Sequence, residues 1–234
     1  MTPNSITRHD DLRLWIIAGL LATAVLLIVG PHMAQKGVTG AATAGTRLIA
    51  AQFFNATCEF HLEQDWNLIS VPCITDNRSP ESVFTDILSD VISIHEYTPD
   101  TPPDSWKVYN PSIPSAISDL TIVNDTKGYW INMAAARDFN VSGLLMIPNW
   151  LDVGQGYNLI GYPSNESQNL TKALITADGR YTVVHLYNAS DMLDHWKSYN
   201  PWINASFNDL TVMVPSHGYW INMTGPTKII LGLY

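Results

Sequence analysis

Gly128–Met133 reads GYWINM, and Gly218–Met223 reads GYWINM again. Working outward from this pair, four further blocks recur in the same order. Trp66–Pro72 (WNLISVP) matches Tyr157–Pro163 (YNLIGYP), and His95–Tyr97 (HEY) matches His185–Tyr187 (HLY). Trp106–Pro111 (WKVYNP) matches Trp196–Pro201 (WKSYNP), and Asp119–Thr121 matches Asp209–Thr211. The offset is 90 or 91 throughout, which marks a tandem duplication of one module.

Within each copy the apolar pattern is that of short strands. WNLISVP reads as a buried strand closed by Pro, and GYWINM as a strand entered through Gly. WKVYNP and WKSYNP read as strands running into a turn set by X-Pro. Ser79-Pro80-Glu81 is a helix start, with Ser as cap, Pro in the first turn and an acid near the positive end. Val83, Phe84, Ile87 and Leu88 then form one apolar face. In the second copy Ser167 or Asn169 begins a similar turn, with Leu170, Leu174 and Ile175 expected to face inward. Strands are expected near Ile92–Tyr97 and Tyr181–Tyr187, and Phe139–Ile147 and Lys228–Leu233 close the modules. The expected fold class is mainly β (a β-rich α+β class): two tandem homologous small β domains, each with one short helix, following an N-terminal transmembrane helix.

The order of blocks resembles the repeated modules of archaeal, and some bacterial, secreted and cell-envelope proteins. The likeness covers Asp65–Met133 and Gly156–Met223. It implies an extracellular setting and no particular reaction.

No charged residue occurs from Leu14 to Gln35, and Leu14–Gly30 reads LWIIAGLLATAVLLIVG. About 20 predominantly apolar residues span a bilayer as a helix. The run exceeds a signal-peptide core, and an A-x-A-like site appears only at Ala42-Thr43-Ala44. The expected layout is a cytoplasmic tail at 1–13, a transmembrane signal-anchor (or signal peptide) at 14–35 and a small-residue linker at 36–50. Module 1 follows at 51–147 and module 2 at 148–234. Arg8 and Arg13 before the segment balance Lys36 and Arg47 after it, so flanking charge does not orient it.

Sequons orient it instead. N-x-[ST] occurs at Asn55, Asn77, Asn124, Asn140, Asn165, Asn169, Asn188, Asn204 and Asn222, all beyond the hydrophobic run. Chance placement of the Asn, Ser and Thr present gives about two or three such sites. Covalent N-glycans on the outside of the membrane are the expectation. Cys58 and Cys73 agree with that compartment. FFNATCEFHLEQ and DWNLISVPC read as two strands around a turn near Gln64-Asp65, which brings the two cysteines within disulfide reach.

The chain is 46% apolar and 14% charged, with a formal net charge of -9. That balance argues against a nucleic-acid partner, which needs clustered Lys and Arg. No Zn-protease, P-loop or nucleophile-elbow motif is present. His95 and His185 recur without a second ligand at fixed spacing, so neither a metal nor a cofactor is expected. Residues shared by both copies are read as structural: Tyr129, Tyr219, Trp106, Trp196, Trp130 and Trp220 as core aromatics, and Asn67, Asn158, Asn110, Asn200, Asp119 and Asp209 as turn or capping residues. Trp150 and Trp202 are not shared and are the candidate ligand aromatics. The expected function is that of a non-catalytic, extracytoplasmic cell-surface glycoprotein: an envelope component, adhesin or interaction module. Its partners are the membrane through 14–35, its glycans, and itself or other envelope proteins. The alternatives are a subunit of an extracellular filament or pilus, and a carbohydrate-binding module.

Overall fold

The computed structural model describes residues 51–99, 104–114 and 117–233. The expected transmembrane segment, 14–35, lies outside them. No helix among the described residues is long and apolar enough to cross a membrane.

The described chain is mainly β, built of small antiparallel sheets. β1 (Gln52–Leu62) runs into β2 (Asp65–Ser70), and a single helical turn, α1 (Pro80–Val83), follows. Next come β3 (Val91–Tyr97), β4 (Trp106–Tyr109), β5 (Gly128–Met133) and β6 (Arg137–Ile147). The second copy repeats the order with β7 (Asn149–Val153), β8 (Gly156–Gly161), the short β9 (Gln168–Asn169) and α2 (Leu170–Ala173). It continues through β10 (Tyr181–Tyr187), β11 (Trp196–Tyr199), β12 (Val212–Met213), β13 (Gly218–Met223) and β14 (Thr227–Leu231).

Each module has a four-stranded sheet. The order is β2-β5-β3-β4 in the first and β8-β13-β10-β11 in the second. Each also has a two-stranded ribbon formed by its first and last long strands, β1-β6 and β7-β14. The ribbon and the helical turn cover one face of the sheet. In module 1 that core joins Phe60, Leu62, Phe139 and Val141 of the ribbon to Ile94, Ile131 and Met133 of the sheet, with Val83, Phe84 and Ile87 around the turn. Module 2 repeats it with Leu151, Val153, Ile229 and Leu231 against Val184, Ile221 and Met223, closed by Leu170 and Leu174. Ile175 points outward, 57% exposed, because the chain leaves α2 into a 3₁₀ turn that rotates it off the apolar face.

One expected pairing is corrected. β1 and β2 do not form a hairpin; β1 pairs with β6 and β2 with β5. The reason is the corner between them. Asp65 takes a left-handed φ of 70°, and the Asn67 amide binds back to the corner, accepting from Glu63 N–H (2.9 Å) and donating to Glu63 C=O (2.8 Å). Module 2 repeats the device with Gly156 (φ 85°) and Asn158, which binds Gly154 in the same two ways. The corner turns the chain out of one sheet and into the next. Cys58 and Cys73 are nonetheless joined in a disulfide, with Cα atoms 5.9 Å apart, linking the ribbon to the segment after β2.

The other shared polar residues act on the backbone too. Asp119 accepts from Val108 N–H and Asp209 from Ser198 N–H, both at 2.6 Å, tying off the edge strands β4 and β11. Asn110 and Asn200 accept from the N–H two residues on. The fully buried Tyr129 and Tyr219 hydroxyls accept from Asn124 N–H (2.7 Å) and Val214 N–H (2.6 Å) and donate to the carbonyls of those same residues. Burial drives both phenols well above the ordinary tyrosine range, so they remain protonated donors.

The modules meet about an approximate two-fold axis. Ser70 N–H donates to Ser216 C=O (3.0 Å), and its counterpart Gly161 N–H donates to Thr126 C=O (2.9 Å). A Cβ on Gly128 would stand 2.8 Å from Leu159 Cδ1, and one on Gly218 would stand 2.7 Å from the Ile69 carbonyl oxygen. The Gly of each GYWINM strand is therefore where the other module's strand lies against it.

Candidate functional site

Side chains of neighbouring strand residues point to opposite faces. In each GYWINM strand this sends Tyr, Ile and Met into the core and Trp and Asn to the outer face. The four shared tryptophans are thus not core residues. Trp106 is 37% and Trp196 46% exposed, and Trp130 and Trp220 are half-buried. Of the six shared aromatics expected in the core, Tyr129 and Tyr219 are the two that are buried there.

The outer faces of the two sheets carry matching rings and meet each other. Trp130 lies 5.1 Å from Tyr187 and 5.9 Å from Trp196, centroid to centroid. The symmetric pairs, Trp220 with Tyr97 and with Trp106, are at 5.1 and 6.1 Å. Aromatic pairs at these separations contribute about 0.5–1.5 kcal/mol each beyond area burial. Within module 1, Trp66 extends the cluster to Trp130 (6.2 Å, edge-on) and to His95 (5.3 Å). Tyr157 takes the place of Trp66 in module 2, 6.2 Å from Trp220.

Trp66, His95, Trp106, Trp130 and Tyr187 line an open cleft of about 540 Å³. That volume is in the range of small-ligand sites. No formally charged group lines it. His95 bonds Ser93 Oγ through Nε2 (2.9 Å), and His185 bonds Ser198 Oγ through Nδ1 (2.8 Å). Burial holds both imidazoles below the ordinary value of 6.5, so both are neutral near pH 7. The cleft thus offers flat, neutral π faces with indole, phenol and imidazole groups among them. This chemistry suits stacking and weak polar contact. Among the described residues no cluster of three or more His, Cys, Asp or Glu is placed to hold a metal ion.

The aromatics singled out by sequence lie elsewhere. Trp150 is on β7, half-buried and opposite Ile230 of β14. Trp202 is in the turn after β11, 70% exposed. Neither lines the cleft. Four of the five lining residues, His95, Trp106, Trp130 and Tyr187, recur in the other copy, while Tyr157 replaces Trp66; Tyr129 and Trp130, adjacent in a strand, cannot enter the same core.

The sequon asparagines are at the surface. Asn55, Asn77, Asn140, Asn165, Asn169 and Asn204 are exposed; Asn124, Asn188 and Asn222 are half-buried. Asn77, Asn169, Asn188 and Asn204 each accept through Oδ1 from the N–H of the Ser or Thr two residues on. None of the nine sequons recurs at its equivalent position in the other copy. Their placement is therefore independent of the residues that build the shared fold.

No protein-family model, curated protein or solved structure matches the chain.

Proposed function

We propose that this chain is a non-catalytic, extracytoplasmic cell-surface glycoprotein, held at the membrane through 14–35, whose modules present the aromatic cleft as a recognition surface. The observation that carries the reading is that none of the nine sequon asparagines is buried: six are exposed and three half-buried, and four turn the side-chain oxygen onto the sequon backbone. The Cys58–Cys73 bond fits an oxidising compartment, and the resemblance of the repeated blocks to secreted and envelope modules points the same way. The cleft supplies the recognition role. The rings that line it stay partly exposed, and exposed contiguous apolar surface marks an interaction site.

The test is intact mass and N-terminal sequencing of the protein extracted with detergent from its native membrane. The expected result is a mass above that of the polypeptide, glycopeptides covering several of the nine sites, and an N-terminus preceding residue 14. An unmodified polypeptide mass overturns the glycoprotein reading, and an N-terminus beyond residue 35 overturns the anchor.

A further inference from the structure

The aromatic surface is symmetric in its rings but not in one residue beside them. Both copies read GYWINM, yet Met133 is followed by Ala134 and Met223 by Thr224. Asn222 is consequently a sequon and Asn132 is not. Both asparagines lie on the ring-bearing face of their strands, two residues past Trp130 and Trp220. Asn222 stands opposite Tyr157 across the β8–β13 pair, as Asn132 stands opposite Trp66 across β2–β5. Asn222 is half-buried, and its side-chain amide has no hydrogen-bond partner among the described residues. A sugar on its Nδ2 would begin beside the Tyr157 and Trp220 rings, whose centroids are 6.2 Å apart.

We propose that the two aromatic faces are carbohydrate platforms: the N-glycan of Asn222 stacks on its own module over Tyr157 and Trp220, and the open cleft of module 1 receives the same kind of glycan from another molecule. This rests on the glycoprotein reading above. Attachment transfers the glycan's anomeric carbon from a lipid-linked phosphate donor to Nδ2, which loses one proton as the lipid phosphate departs.

The chemistry of the cleft selects a sugar. A pyranose presents a C–H face to stack on indole and a rim of hydroxyls to hydrogen-bond. The lining supplies indole faces from Trp66, Trp106 and Trp130, together with the neutral His95 imidazole and the Tyr187 phenol. A charged ligand would meet no opposite charge there. A quaternary ammonium also sits well on aromatic faces. It has no hydrogen to donate, however, while the Tyr187 phenol oxygen in the lining can accept one. A hydroxyl provides one.

The probe is the glycan pool released from the native protein, titrated into the full-length chain while tryptophan fluorescence is followed. Saturable binding with about one site per chain is expected. Trp66→Ala should weaken it at least tenfold, Trp106→Ala likewise, and Trp202→Ala should leave it unchanged. Trp66→Tyr, which installs the aromatic of the second copy, should retain binding and guards against loss of fold in the Ala variant. Asn222→Gln should raise the count to two sites as the second face is uncovered. Absence of saturable binding, binding indifferent to both Trp66 and Trp106, or binding of tetramethylammonium in place of the glycans overturns the inference. So does an unmodified Asn222 on a chain glycosylated elsewhere, which leaves the glycoprotein reading standing. A chain with no glycan at all overturns both.

Discussion

Gly218→Ala tests the packing that brings the two ring clusters together. The added Cβ would lie 2.7 Å from the Ile69 carbonyl oxygen and 3.2 Å from both Leu68 Cγ and Cδ1. The carbonyl belongs to β2, which is fixed in its sheet by β5, so it cannot yield as a side-chain tip can. Propensity alone gives the opposite sign, since Gly inside a strand is about 0.5–1 kcal/mol worse than Ala. Overpacking of a fixed neighbour costs about 1–3 kcal/mol, and here it should win. Net of the propensity gain the cost is up to about 2.5 kcal/mol, so at about 2–4 °C per kcal/mol for a domain of this size Tm should fall by up to about 10 °C. The assay is thermal unfolding by far-UV circular dichroism, with the near-UV band recorded at 25 °C. That band should weaken, because Trp106–Trp220 and Trp130–Tyr187 lie across the same contact. An unchanged or raised Tm with an intact near-UV band would show that the modules do not meet at this distance, and the cleft as described would go with it.

Three further outcomes follow from single features. Tyr219→Phe leaves the half-buried Val214 N–H and C=O without their phenol partner, which should cost about 0.5–1.5 kcal/mol in urea unfolding; Tyr129→Phe should do the same at Asn124. Reduction of Cys58–Cys73 releases a crosslink spanning 15 residues, worth about 3 kcal/mol by loop entropy, so Tm should drop by about 6–12 °C in reductant and not in a Cys58→Ser/Cys73→Ser control. In an NMR titration His61 should titrate above 6.5, held charged chiefly by its hydrogen bond to Asp138, while His95 and His185 titrate below it because of burial. The linked stabilities have opposite sign. The His61 contribution is present below pH 6.5 and lost as pH rises through its folded value; the His95 and His185 sites lose stability as pH falls from 6.5 toward their folded values. A single common midpoint for all three would refute these environments.

Much of the fold was legible because the duplication separates what the module needs from what each copy adds. Asn67 with Asn158, and Asp119 with Asp209, read as backbone-binding residues and are so. Strand existence was equally plain from short apolar blocks bounded by Pro and Gly. Pairing was not. β1 and β6 are joined by contacts between residues 52–62 and 137–147 that no local pattern encodes, and the intervening corner at Asp65 imitates a hairpin turn in sequence. The cleft was hidden for a different reason. A tryptophan shared by two copies fits a core and an interface equally well in composition, and what separates the two is parity along the strand. Tyr129 is inside, so Trp130 is outside, and the same holds for Tyr219 and Trp220. The remaining step, that two such outer faces meet, depends on Gly128 and Gly218 admitting the opposite strand, which no single copy reveals.

The two-fold arrangement of the modules makes the chain a dimer that cannot come apart. An isologous pair formed by separate subunits exists only above its dissociation constant. Here the partner is covalently attached, so its effective concentration does not depend on how much protein is present. The linkage also frees the halves from being identical. One half carries Thr224 where the other carries Ala134, a difference that a true homodimer, with a single sequence for both faces, has no means to hold.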